Sequence, residues 1–130
     1  MAHSFISYKE KSEMFRDSEV FLIIGLMRET AKGDSDQPVF LNLDRWFFGY
    51  DEFPSGALDL GLNDCLSDQA TRDQFSLCIQ RTIQSIRSLG AVVPGAWLSE
   101  ILDDGDRVQY NDRDAAEIVA ALNRFHELFV

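Results

Sequence analysis

The chain has 130 residues, 45% of them hydrophobic, enough for a single domain with a core that needs neither disulfides nor a metal. Its formal net charge of −10 disfavours nucleic acid and membranes as direct partners and favours a basic protein. Only two cysteines occur, Cys65 and Cys78, with no CxxC spacing and no nearby pair of histidines, which argues against a disulfide framework or a zinc motif.

The opening MAHSFISYKEKSEMF has no apolar run behind a basic start, and the longest apolar run, Val20 to Ile24, is too short to span a bilayer. The expected location is therefore the cytoplasm. From Ser18 to Lys32, SEVFLIIGLMRETAK predicts a buried helix capped by Ser18 and stopped at Gly33, with a possible backward extension through Tyr8 to Phe15. Length and propensity favour helix over strand for VFLII, because LMRETAK continues it.

The segment from Asp34 to Leu66 is open between readings. VFLNLDRWFF after Pro38 suits a short helix or an extended arm, and ALDLGLNDCL alternates loosely between glycines. From Ser67, SDQATRDQFSLCIQRTIQSIRSLG supplies a cap, an acidic first turn and apolar residues at helical spacing up to Gly90. Pro94 opens a short helix through Trp97, Leu98, Ile101 and Leu102, which DDGDR breaks. The last helix begins at Asn111 or Asp112 and carries Ala115, Ile118, Val119, Leu122, Phe125 and Phe129 on one stripe. The fold expected is a mainly α, single-domain helical bundle over residues 1–130 with an irregular aromatic and acidic segment. The alternative is α+β, with a small strand pair within 34–66 or around Val108 to Tyr110.

Charge is unevenly distributed. Residues 34–68 carry eight acids against Arg45 alone, giving −7, and residues 99–117 carry seven acids against two arginines, giving −5. The first of these segments contains RWFFGYDEFPSG, Arg45 to Gly56, with five aromatic residues in eight positions. Some must enter the core, since so many large apolar groups do not all stay in water; Phe47 or Phe48, together with Phe53, are the expected core members. The functional reading leaves Trp46 and Tyr50 partly exposed in an acidic rim, because Trp and Tyr dominate interface hot spots and carboxylates steer a basic partner. Asp51, Glu52, Asp59 and Asp64 belong to that rim, and Asp103, Asp104 and Asp106 form a second acidic candidate.

Enzyme constellations are mostly missing from the sequence. His3 lies in the N-terminal stretch and His126 reads as an ordinary helix-face residue, so no histidine base stands beside a nucleophile. Cys78 falls on an apolar stripe, and there is no GxGxxG, P-loop or HExxH. Asp103 to Arg107 lacks the alternating ligands and distal glutamate of a calcium loop. No catalytic residue, metal or cofactor is assigned. An aromatic-walled pocket using Asp51, Glu52 or Asp59 as an acid is the remaining enzymatic reading.

The order of a buried N-terminal helix, the run WFFGYDEFPSGALDLGLNDCL, a long helix ending SLG and a following PGAWL resembles small bacterial immunity proteins of contact-dependent growth inhibition and related toxin systems, over residues 15 to 102. That resemblance implies a cytoplasmic acidic protein that binds a cognate toxin domain, often a basic nuclease, and blocks its active site or substrate groove. A regulatory or adaptor domain for an endogenous basic protein is the alternative.

Overall fold

The computed structural model describes residues 2–34, 37–49, 56–102 and 110–130. Strands β1 (His3–Tyr8) and β2 (Lys11–Arg16) lead into helix α1 (Asp17–Ala31), which ends in a 3₁₀ turn at Lys32–Asp34. Then come α2 (Pro38–Phe48), the single turn α3 (Leu62–Cys65), the long α4 (Gln69–Ser88), β3 (Val92–Val93), α5 (Gly95–Leu102), β4 (Arg113–Asp114) and α6 (Ala115–Glu127). The architecture is mainly helical, with two small antiparallel ladders among the described residues, β1 with β2 and β3 with β4. Both ladders lie outside the places proposed for strands from sequence, of which residues 35–36, 50–55 and 108–109 lie outside the described residues. Among the described residues no helix is long and apolar enough to cross a membrane.

Helix α1 is the centre. Every residue from Val20 to Met27 is buried, because eight consecutive apolar residues leave a helix without a polar face, and such a helix must be covered on all sides. It packs against β2, α2, α4, α5 and α6. Gly25 permits the closest of these approaches: a Cβ there would lie 2.5 Å from Leu102 Cδ2 and 3.0 Å from Phe47 Cε1. Around it, α4 contributes Phe75, Ile79, Ile83 and Ile86, while α6 contributes five members of the predicted stripe; the sixth, Phe129, is also buried but lies just beyond the helix end.

The backward extension of α1 through Tyr8 to Phe15 is corrected by the hairpin. Ser4, Ile6 and Tyr8 point inward while His3, Phe5 and Ser7 point outward, a period of two that only a strand satisfies. The register pairs Phe5 with Met14 and Ser7 with Ser12. Its turn lacks the usual Asn-Gly; instead Lys9 takes φ 53°, and its N–H donates to Asn63 Oδ1 at 2.7 Å.

Caps differ from the expected residues by one to three positions. Asp68, not Ser67, caps α4 by accepting from the Thr71 N–H at 2.7 Å, and hydrogen bonds from the Thr71 side chain and backbone hold its carboxyl below the usual range. Asp114 caps α6 through the Ala116 N–H. Ser18 caps nothing, since α1 already starts at Asp17. Gly90, at φ 100°, follows α4 as the glycine stop anticipated there.

A buried polar network ties the first strand to the start of α1. The buried Asp17 carboxylate accepts from Ser4 Oγ at 2.6 Å and from the Gly56 N–H at 2.8 Å, while Ser4 Oγ accepts from the Leu58 N–H at 3.1 Å. Asp17→Ala should therefore destabilise the domain by about 3 kcal/mol, because it strands a buried hydroxyl and a backbone donor. In a denaturant cycle with Ser4→Ala the two losses should be far from additive; additive losses would mean that the groups act separately.

Acid should also weaken the fold. His126 Nε2 lies 2.9 Å from Ser76 Oγ between α6 and α4, with its ring edge on Phe129, and burial lowers its pKa from 6.5. A depressed histidine contributes stability that is present above its unfolded pKa and lost as pH falls through the folded one. Melting temperature should thus drop as pH falls below 6.5, and the drop should shrink in His126→Gln.

Candidate functional site

Helix α2 decides the fate of the aromatic run. Pro38 at its first position fixes the start, and helical spacing then sends Val39, Leu43, Trp46 and Phe47 inward. Phe47 stacks on Phe21, with ring centroids 4.8 Å apart, and Trp46 lies tilted on Phe75 at 5.8 Å. Trp46 is 3% exposed, so its assignment to a docking rim is corrected: periodicity places it in the core. Among the described residues its buried indole N–H has no hydrogen-bond partner.

The same geometry turns Leu41, Asp44, Arg45 and Phe48 outward. Leu41 and Phe48 are each 56% exposed, large apolar side chains seven residues apart on one face. Phe48 is nevertheless held in place. Its ring meets Phe47 edge-on at 5.3 Å, and the Arg28 guanidinium of α1 lies 4.8 Å from its centroid. Arg28 in turn faces the rings of Phe40 and Phe47 and donates from Nε to Asp44 Oδ1 at 2.7 Å. An ion pair flanked by the rings of Phe40 and Phe47 therefore supports the exposed Phe48 side chain from below.

The acidic neighbours follow from α3. Arg45 Nη2 donates to Cys65 Sγ at 3.1 Å, and Cys65 Sγ donates to Asn42 Oδ1 at 3.4 Å, so α3 is fastened to α2. Asp64, beside Cys65, is exposed, as is Asp59, whose Oδ1 accepts from the Gly61 N–H at 2.9 Å. The arrangement is an apolar stripe with Asp44 within it, next to a turn bearing further carboxylates. Tyr50, Asp51, Glu52 and Phe53 lie outside the described residues, as do Asp103, Asp104 and Asp106.

Cys78 is buried, donates to the Met27 carbonyl at 3.4 Å, and has its thiol pushed up to about 11 by burial. Among the described residues no three His, Cys, Asp or Glu side chains come together as a metal could use them. Sequence reasoning missed Leu41, Asp44 and Phe48; the missing signal was the helical period over 38–48, which separates them from their inward neighbours.

Trp46 and Phe48 should behave oppositely on truncation. Trp46→Ala should cost about 3–5 kcal/mol in denaturant unfolding, and Trp46→Phe much less, because it also removes an unsatisfied N–H. Phe48→Ala should cost about 1 kcal/mol or less. Equal losses for the two alanine variants would show Phe48 to be a core residue in solution.

Comparison with protein-family models, with curated proteins and with solved structures finds no match for this chain.

Proposed function

We propose that the chain is a cytoplasmic immunity protein that binds a cognate, basic toxin domain of nuclease type and neutralises it by covering its active site or substrate groove. The observation that supports this most directly is the outward face of α2, where Leu41 and Phe48 stand exposed on either side of Asp44 within the most acidic part of the chain. A ring already fixed by Arg28 and Phe47 loses little freedom when a partner covers it, which favours its use as an anchor. Asp44, Asp59 and Asp64 offer carboxylates to the arginines and lysines that a nuclease keeps for phosphate, and charge-assisted pairs of that kind are strong. Unlike charges would also speed encounter. In this reading the chain carries out no reaction itself.

Binding kinetics against a toxin domain encoded beside the chain's own gene test the proposal. Association should slow as salt rises, and charge reversal at Asp59 and Asp64 together should lower the on-rate. Phe48→Ala should chiefly raise the off-rate, by about thirtyfold if it is a hot spot of about 2 kcal/mol. Trp46→Ala should change stability and leave the affinity of the folded fraction unaltered. A toxin domain that remains active with the chain in excess would refute the reading outright, and an off-rate indifferent to Phe48 would move the docking face elsewhere.

A further inference from the structure

Asp44 and Phe48 stand four residues apart on α2, so they are neighbours along one helical ridge. The chain itself shows what this pair of groups receives. The Arg28 guanidinium lies 4.8 Å from the Phe48 centroid while its Nε donates to Asp44 Oδ1 at 2.7 Å. Ring and carboxylate thus share one planar cation, a match that a compact ammonium makes less well because it neither stacks nor pairs as a fork.

Arg28 leaves room for a second cation. It reaches the pair from α1 and is only 16% exposed, whereas the Asp44 side chain is 40% exposed and Phe48 56%. A ring has two faces and a carboxylate about four lone-pair sites, so neither group is used up by one guanidinium. Arg28 opposes a like charge, yet residues 34–68 sum to −7, and their single base, Arg45, is turned towards Cys65 Sγ at 3.1 Å. The field at this face remains one that draws cations.

We infer that the group seated on the outward face of α2 is an arginine side chain of the partner, its guanidinium against the open face of Phe48 and paired with Asp44. Its methylene stem lies along Leu41, exposed three residues before Asp44. The inference rests on the reading of the chain as an immunity protein and names the toxin group that α2 covers: an arginine of the kind a nuclease keeps for phosphate.

NMR titration of the full chain with N-acetylarginine amide and N-acetyllysine amide, which carry the same single charge, tests this without a toxin. The arginine amide should shift the Phe48 ring resonances saturably, and the lysine amide should bind at least about threefold more weakly. Phe5 is a control within the molecule: it is 68% exposed on the hairpin beside Met14, with Ser7, Ser12 and Arg16 around it, a ring on a face built without a carboxylate. It should show no saturable shift. Asp44→Asn, and Phe48→Leu followed at the Leu41 methyls, should each erase the preference for arginine while changing the melting temperature little, since both keep side-chain size at solvent-facing positions. Against the toxin domain, Phe48→Leu should raise the off-rate and Phe48→Tyr, which keeps the ring, should not. Equal affinity for the two amides, shifts at Phe5 as large as at Phe48, or an arginine preference that survives Asp44→Asn would each overturn the inference. A chain that prefers the arginine amide yet binds no toxin domain would instead refute the immunity reading and uphold the guanidinium site.

Discussion

The Asp17 carboxylate is the constraint on which the arrangement of the chain depends. It occupies the first position of α1, where negative charge is favoured by the helix dipole and where the backbone is not yet committed to internal bonds. A carboxylate buried there is tolerable only if its oxygens are met by donors, and Ser4 and Gly56 supply them. The Asp17 N–H also donates to the Ala2 carbonyl at 3.1 Å. One residue thus fixes the hairpin, the entrance to the central helix and the extended stretch carrying Leu58 and Leu60 into the core.

From that entrance the rest of the geometry follows by packing. Gly25 lets α2 and α5 come close to α1, and α2 lays Phe47 on Phe21 as a result. Phe48, the next residue, is then obliged to face out, and Arg28 rises from α1 to meet it. The exposed aromatic surface is a by-product of how the core closes, which ties its presentation to the integrity of α1.

Much of the fold was legible in the sequence because four helices announce themselves by period and punctuation: the apolar run after Ser18, the spacing from Phe75 to Ile86 ended by Gly90, the turn after Pro94 and the stripe from Ala115 to Phe129. The hairpin was hidden. Phe5 and Met14 are apolar but sit on its outer face, which blurs the alternation, and Lys9 occupies a left-handed position that normally signals itself with glycine or asparagine. The candidate face was half legible. Its acidic setting could be read from composition, whereas the choice between Trp46 and Phe48 required knowing that 38–48 is a helix, since an extended arm would have alternated them differently. Composition favoured Trp as the anchor, and burial of the larger ring won.

A helix surrounded on every side also makes the domain behave as one cooperative unit. The amides of α1 cannot meet water through fraying of a neighbour, because β2, α2, α4, α5 and α6 each cover a different part of it. Their hydrogen exchange must wait for global unfolding. Protection factors along α1 consequently report the stability of the whole protein, and a partner or ligand that grips only one outer element would still raise them all.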